Sequence, residues 1–129
     1  MNENQETPLT QRPLIRAAVA TDLDQLWDIR YANDIIGQIA VPDQGPTPAY
    51  LTHVQENGLL LVAERGDRIV GYAGLVDRSG VAYLTDLFID PASQSLNVGR
   101  RLLEQILPPG PTSKCTMATT DYRAISLYT

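Results

Sequence analysis

Residues 59–89, LLLVAERGDRIVGYAGLVDRSGVAYLTDLFI, determine the fold that the sequence predicts. Three apolar runs, over 59–64, 69–76 and 81–89, alternate with two short polar turns that each contain a glycine. Runs of this length joined by such turns are typical of antiparallel strands. Pro91 follows closely after the third run, and proline cannot continue a strand ladder. The segment therefore predicts a three-stranded antiparallel meander.

Helix and strand signals lie on both sides of this meander. The remaining predicted elements are strands over 14–18 and 114–118 and helices over 22–34, 48–57, 98–107 and 121–129. Thr21 with Asp24, and Thr47 before Pro48, are interpreted as N-terminal caps of the first two helices. A helical crossover before the last strand makes one parallel pair. The predicted fold class is α/β, with a mixed, mostly antiparallel sheet flanked by helices.

Composition limits the class of protein. The 129 residues suffice for one domain, predicted over 13–129 after a polar tail at 1–12 that lacks a signal-peptide pattern. The net charge of −5 disfavours non-specific nucleic-acid binding, and no apolar stretch reaches the ~20 residues of a membrane span. One cysteine and one histidine exclude an intrachain disulfide framework, a cysteine-rich zinc site and a histidine-pair metal site. We expect a cytoplasmic protein without metal, nucleic-acid or membrane partners.

The segment 86–101, DLFIDPASQSLNVGRR, is the strongest candidate for a binding site. A strand ends there, a polar loop follows, and a helix begins near Val98 with Arg100 and Arg101 in its first turn. Free backbone amides and the helix dipole make such a helix start suitable for an anion. The alternative is an ordinary strand-loop-helix crossover with exposed arginines.

The loop resembles the acetyl-CoA pyrophosphate loop of the GNAT N-acetyltransferases. In that motif Gln or Arg is followed, after two residues, by Gly, any residue, and Gly or Ala. Gln94 and Gly99 match it, whereas Asn97 replaces the first glycine. Asparagine tolerates positive φ better than other non-glycine residues, so the turn can persist. Residues 83–91 resemble the fourth strand of the family, and residues 121–128 resemble its later Asn…Ala…Leu-Tyr motif.

The resemblance implies the acyl-CoA N-acyltransferase fold and a direct transfer of acetyl from acetyl-CoA to a primary amine. The acceptor would be a small molecule or an amino-acid-like compound. The amine must lose a proton before it attacks, and Asp86 matches the acidic strand position that would take it. Tyr128 matches the tyrosine that protonates the departing thiolate. From the residues alone, Asp86 could instead be a capping or outward-facing carboxylate, and Tyr128 a core residue.

The resemblance also assigns acetyl-CoA contacts. Backbone groups of Phe88 and Ile89 would pair with the pantetheine arm as an added strand does, and the amides around Gly99 would hold the pyrophosphate. The residues that it implicates are Phe88, Ile89, Gln94, Leu96, Asn97, Val98, Gly99, Arg100, Arg101 and Asp121. Asp121 replaces the usual asparagine and adds a negative charge near the expected position of CoA.

The C-terminal end departs from the family pattern, which continues with a glycine-aromatic pair and two further strands. We therefore expect a C-terminally incomplete domain whose last strand leaves an open sheet edge, and a possible homodimer through that edge. Asn97, Asp121 and this end also support an alternative function, a catalytically degenerate GNAT-fold domain that binds or regulates.

Several other aromatic, titratable and acidic residues are expected to have structural roles. Trp27 lies on the apolar stripe of the first helix and is expected in the core. His53 is expected to be a partly exposed helix residue, and Cys115 a small core residue. The helical acids Asp22, Asp24, Asp28 and Asp34 are expected to form a solvated face.

Overall fold

The computed structural model describes residues 12–107 and 115–117 and shows a sheet with helices on both faces. The strands are β1 (Leu14–Ala17), β2 (Leu59–Arg65), β3 (Arg68–Arg78), β4 (Val81–Ile89) and β5 (Cys115–Met117), and the α-helices are α1 (Leu23–Asp34), α2 (Ala49–Asn57) and α3 (Val98–Ile106). Two 3₁₀ helices, Ala20–Asp22 and Pro91–Leu96, precede α1 and α3.

The sheet has the order β1-β2-β3-β4-β5. The first four strands pair antiparallel in chain order, and β4 pairs with β5 in parallel. The predicted meander and the mixed sheet are thus confirmed, with strand ends within two residues of their predicted positions. The predicted helix over 121–129, which contains Asp121 and Tyr128, lies outside the described residues, as does most of the predicted N-terminal tail.

Each face of the sheet carries its own apolar core, because successive strand residues point to opposite faces. Helix α3 packs on one face, where Val98, Leu102 and Ile106 meet the strands. Helices α1 and α2 pack on the other face, where Leu26 and Leu51 are fully buried beside Tyr72. The candidate site lies on this second face.

The predicted capping box of the first helix is wrong. Helix α1 starts at Leu23 with Asp22 in the N-cap position and no side-chain cap hydrogen bond. Asp22 is buried, so it does not belong to the predicted solvated face. Its carboxylate instead accepts hydrogen bonds from the Val19 amide at 2.8 Å and from Arg16 Nη1 at 2.8 Å. A charged partner on β1 outcompetes a local cap because it neutralises a carboxylate that burial would otherwise penalise.

The loop between α1 and α2 is tied to the outer side of α1. Trp27 is half-buried against the core, and its indole N–H donates to the carbonyl of Gln44 at 3.0 Å. Tyr31 donates to the carbonyl of Pro42 at 2.6 Å. Thr47 donates to Asp24 at 2.6 Å, so it does not cap α2, whose N-cap position holds Pro48. These contacts fix where α2 begins.

No helix within residues 12–107 combines the length and the apolar character that crossing a bilayer requires. Strand β5 is the last strand of the sheet among the described residues. The homodimer predicted through its outer edge stays a prediction.

Candidate active site

A β-bulge in β4 shapes the candidate site. Gly74 of β3 pairs with Asp86, and the next residue, Leu75, pairs with Leu84. Thr85 is therefore the extra residue, without a partner across the ladder. A bulge bends its strand and re-aims side chains, and bulges are common beside active sites. Here it directs the side chain of Asp86 into the layer between the sheet and helices α1 and α2.

Asp86 is fully buried, and two tyrosines donate to one of its oxygens. Oδ2 accepts from Tyr50 Oη at 2.7 Å and from Tyr72 Oη at 2.9 Å. The other oxygen, Oδ1, is also buried but has no hydrogen-bond partner among the described residues. The interpretation of Asp86 as an outward-facing residue is therefore excluded. A buried carboxylate oxygen without a donor is costly and points to a ligand or an ordered water.

The two tyrosines remain protonated donors around Asp86. Burial is the largest cause that raises the pKa of Tyr50 and of Tyr72, and the nearby negative charge of Asp86 raises both further. A phenol with a raised pKa keeps its proton at neutral pH. Both hydroxyls therefore donate to Oδ2, which leaves Oδ1 as the oxygen that can receive a proton or bind a cation.

Arg30 completes this cluster from α1. Its Nη1 donates to Tyr50 Oη at 3.2 Å and lies 3.8 Å from Asp86 Oδ2, so it acts on the carboxylate chiefly through the tyrosine. The guanidinium carbon lies 4.6 Å from the centre of the Phe88 ring, within the range of a cation–π contact. Asp34 pairs with Nε at 3.4 Å. We name Arg30, Tyr50, Tyr72 and Asp86 the carboxylate cluster.

Asp86 was predicted from the sequence, whereas its three partners Arg30, Tyr50 and Tyr72 were not. Arg30 follows Leu26 by four residues and so interrupts the apolar stripe of α1, which is a detectable signal. Tyr72 occupies an inward position in the apolar β3 run, where a hydroxyl requires a buried partner. Tyr50 carries no comparable signal, because its contact depends on how α2 packs over the sheet.

The described pairing of β4 with β5 ends just before the bulge. Strand β5 pairs with β4 from Ala82 to Leu84. Phe88 and Ile89 follow the bulge and pair with β3 on one side, and on their other side no strand lies among the described residues. An edge of this kind can accept an extended ligand by backbone hydrogen bonds. The bulge, with Asp86 in it, thus lies between the part of β4 that pairs with β5 and the part that carries Phe88 and Ile89.

The register between β3 and β4 shows which backbone groups at the end of β4 point away from β3. The amide of Asp90 donates to the carbonyl of Val70 at 2.8 Å, which makes Gly71 and Ile89 a non-hydrogen-bonded pair. The backbone groups of Ile89 therefore point away from β3, whereas those of Phe88 point toward it. The carbonyl of Ile89 accepts from Asn33 Nδ2 at 2.9 Å. The N–H of Ile89 is thus the better-placed group for the predicted pantetheine contact.

Asn97, at the start of α3, has a positive φ. Asn97 adopts φ 60 and ψ 23, in the left-handed region, at the N-cap position. The prediction that asparagine maintains the turn is confirmed for the backbone. The first turn of α3 contains no acidic residue. Gly99 is buried, Arg100 is exposed and Arg101 is half-buried.

Close packing on β3 holds this helix start in place. A Cβ on Gly71 would lie 2.7 Å from Ile89 Cδ1 and 3.1 Å from Val98 Cγ1. Glycine at position 71 therefore lets the first residue of α3 approach the sheet. Gln94 and Leu96 belong to the preceding 3₁₀ helix. The structure thus gathers the predicted residues 88–101 along one path, while Asp121 and Tyr128 lie outside the described residues.

The comparison with protein families agrees with this geometry. The family model described as acetyltransferase (GNAT) family matches residues 20–129. The chain belongs to the GNAT acetyltransferase family. No match was found among curated proteins.

Solved structures show the same fold as this GNAT chain. The PaiA N-acetyltransferase from Thermoplasma acidophilum, in complex with coenzyme A, has a TM-score of 0.65 at 17% identity, covering 90% of this chain and 86% of that one. YncA from Salmonella typhimurium, with its cofactor acetyl-CoA, has a TM-score of 0.57 at 24% identity, covering 74% and 61%. Ard1 from Thermoplasma volcanium has a TM-score of 0.58 at 15% identity, covering 73% and 60%.

The chain thus spans about three fifths of the length of YncA and of Ard1. At these identities the similarity establishes the GNAT fold. The coenzyme A and acetyl-CoA in the PaiA and YncA structures belong to those proteins.

Proposed function

We propose that this GNAT chain transfers an acetyl group from acetyl-CoA to a primary amine of a small molecule. The observation that carries the proposal is the buried Asp86 Oδ1, which has no partner among the described residues and belongs to the bulge that precedes Phe88 and Ile89. A general base needs a free acceptor within reach of the reacting nitrogen, directly or through one water.

The proposed reaction forms one bond and breaks another. Asp86 Oδ1 receives a proton from the ammonium group, which frees the nitrogen lone pair. The nitrogen attacks the thioester carbonyl, a C–N bond forms, the C–S bond breaks, and the nitrogen loses its second proton to solvent. CoA leaves as a thiolate and takes up a proton, for which Tyr128 remains the predicted donor. The hydroxyls of Tyr50 and Tyr72 hold Asp86 in position throughout.

The described residues fit the donor substrate at two places. The N–H of Ile89, which points away from β3, can pair with an extended pantetheine arm. The start of α3 offers backbone amides without a neighbouring acid in its first turn, and such a helix start favours a pyrophosphate. Arg100 and Arg101 lie in the same turn and can add charge-assisted hydrogen bonds.

The donor site is tested by thermal shift with CoA and two opposite variants. Ligand at 100 times its Kd should stabilise the protein by about 2.7 kcal/mol. Gly99→Leu should weaken binding because its side chain blocks the approach of the backbone to phosphate. Asn97→Gly should strengthen binding because it removes a Cβ from the turn. Gln105→Leu, an exposed change on the same helix, is the control.

If the Gly99 variant folds and binds CoA as well as the parent does, the donor site lies elsewhere. The acceptor half of the proposal is tested by following thiol release with a panel of small primary amines. Release above the rate of acetyl-CoA hydrolysis, with the acetylated amine detected by mass spectrometry, supports the enzyme.

A second candidate function is a GNAT-fold domain that binds CoA without catalysis. The exposed side chain of Asn97 favours it, because the side chain projects from the turn where a phosphate should approach the backbone. This candidate predicts a thermal shift with CoA but no acetylated amine across the panel.

We further propose that the protein acts in the cytoplasm as a homodimer joined through the β5 edge. An open strand edge tends to recruit another strand. Light scattering across a wide concentration range tests the dimer, and a monomer at every concentration would count against it.

A further inference from the structure

A cavity lies on the same sheet face as the carboxylate cluster. It has a volume of about 370 Å³ and is lined by Val76, Arg78, Tyr83 and Thr85. Its volume is in the range of small-molecule sites. Thr85, which lines the cavity, directly precedes Asp86 in the bulge, so the cavity and the carboxylate cluster are neighbours along β4.

The cavity contains a hydrogen-bonding group that nothing in the described part of the chain uses. Thr85 Oγ1 is buried and has no hydrogen-bond partner among the described residues. Gly74 makes room for it, because a Cβ at that position would lie 2.6 Å from Thr85 Oγ1. Buried hydroxyls are normally satisfied, so this one indicates a bound ligand or water.

The cavity also contains a positive charge that is not neutralised locally. Arg16, Arg30 and Arg68 each pair with carboxylates. Arg78 has no ion pair with any carboxylate of the described residues. An arginine at the border of a cavity is well suited to bind a carboxylate or phosphate through paired N–H donors.

The negative charge of Asp86 and the positive charge of Arg78 lie at different positions along the β3–β4 ladder. Asp86 faces Gly74 across the ladder, and Arg78 follows Gly74 by four residues on the same strand. Four strand residues span about 13 Å, and alternation places both side chains on the same face. A small molecule between them would meet a negative group at one end and a positive group at the other.

We infer that this cavity binds the acceptor and selects amines that also carry a carboxylate. This inference rests on the proposed acetyl transfer and adds the acceptor class to it. The ammonium group lies at Asp86 Oδ1, the carboxylate pairs with Arg78, and the Thr85 hydroxyl hydrogen-bonds to the molecule between them. The acceptor is thus an amino acid whose ammonium and carboxylate are separated by several carbons, or a close analogue, and simple amines and polyamines are poor acceptors.

The test compares acceptors that differ in the carboxylate alone. Initial rates are measured with acetyl-CoA and two pairs, 4-aminobutyrate against 4-aminobutanamide, and 6-aminohexanoate against 6-aminohexanamide. In at least one pair, we expect kcat/KM to be about tenfold or more higher for the aminocarboxylate than for the amide. A hydrogen bond to a charged group commonly contributes an effect of that size. In Arg78→Gln that ratio should fall to about 1. Arg65→Gln, an exposed change at the end of β2, should keep the wild-type ratio.

The outcomes separate the inference from the proposed function. Equal rates within both pairs, or a preference that persists in Arg78→Gln, would overturn the inference while acetyl transfer stands. If no amine is acetylated, the proposed function fails, and binding decides the inference. The melting temperature should then rise with the aminocarboxylate in the wild type but not in Arg78→Gln. No rise in either protein would overturn the inference as well.

Discussion

Two arginine–aspartate clusters lie on the α1 side of the sheet, and they differ in how completely their carboxylates are bonded. In the first, Arg16 joins Asp22 and Glu64 at the β1 end of the sheet. In the second, Arg30 approaches Asp86 at the β4 end, through the hydroxyl of Tyr50. Both aspartates are buried, so burial alone does not distinguish them.

The difference lies in the second carboxylate oxygen. Asp22 Oδ2 accepts from Arg16 Nη1 and from the Val19 amide, and Asp22 Oδ1 accepts from Arg16 Nη2 at 3.1 Å. Asp86 has both of its hydrogen-bond donors on Oδ2 and none on Oδ1 within the described residues. Leaving a buried acceptor unpaired costs about 1–3 kcal/mol. A fully bonded carboxylate stabilises the fold, whereas a half-bonded one is available for chemistry.

Replacement of Asp86 should have the largest effect. Asp86→Asn keeps the shape and removes the proton acceptor, so kcat/KM for acetyl transfer should fall by about 10²–10⁴-fold. Steady-state kinetics with the best acceptor of the amine panel measures this loss. The change in unfolding free energy should be smaller than that of Asp22→Asn. A variant that retains the wild-type rate would show that Asp86 is not the base.

Replacement of Asp22 should show the opposite pattern. Asp22→Asn removes a charge that both Arg16 and the Val19 amide contact, and the lost charge-assisted hydrogen bonds cost about 1.5–3 kcal/mol of stability. Urea unfolding near neutral pH measures the loss, and acetyl transfer below the unfolding transition should be unchanged. Equal stability of variant and parent would show that the Asp22–Arg16 pair does not stabilise the fold.

The stability that Asp22 contributes should disappear in acid. Hydrogen bonds from Arg16 lower the pKa of Asp22 below its usual 3.8, and the Val19 amide lowers it further. Because the folded pKa lies below the unfolded pKa, the stabilisation is fully present above the unfolded value and declines as pH falls through the folded value. The gap between wild type and Asp22→Asn in urea unfolding should therefore close in acid. A constant gap would contradict this assignment.

The smallest effect should come from the glycine beneath the bulge. Gly74→Ala brings a Cβ to 2.6 Å from Thr85 Oγ1 and 3.3 Å from Leu60 Cδ1, and such overpacking costs about 1–3 kcal/mol. Thr85→Ala in the same chain should recover part of this loss because it removes the nearest atom. Differential scanning calorimetry of the single and double variants measures both. No loss from Gly74→Ala would mean that the bulge adjusts freely.

Local patterns predicted most of the fold. The alternating runs at 59–64, 69–76 and 81–89 are flanked by turns whose chemistry is local, so the meander was predicted to within two residues. The cap at Thr21 failed because a 3₁₀ helix over Ala20–Asp22 puts Asp22 in the N-cap position. Asp22 binds Arg16, which lies six residues earlier and on another element. Sequence spacing cannot show which acceptor a long arginine side chain reaches.

The candidate site was predictable only in part, for the same reason. Asp86 was found through the resemblance of its strand, and Asn97 through its place in a loop motif. Tyr50 lies 36 residues from Asp86 along the chain, and Tyr72 lies 14 residues away. Their convergence depends on the packing of α2 and on the extra residue in β4. Neither the packing of α2 nor the extra residue in β4 produces a periodic pattern in the sequence.

The tie between α1 and the following loop gives the protein an intrinsic optical probe. Trp27 is the sole tryptophan of the chain, and its indole N–H is held by the carbonyl of Gln44 in that loop. Indole emission shifts to longer wavelength when water replaces apolar neighbours. Any lifting of residues 35–48 away from α1 would therefore change the fluorescence of the unlabelled protein.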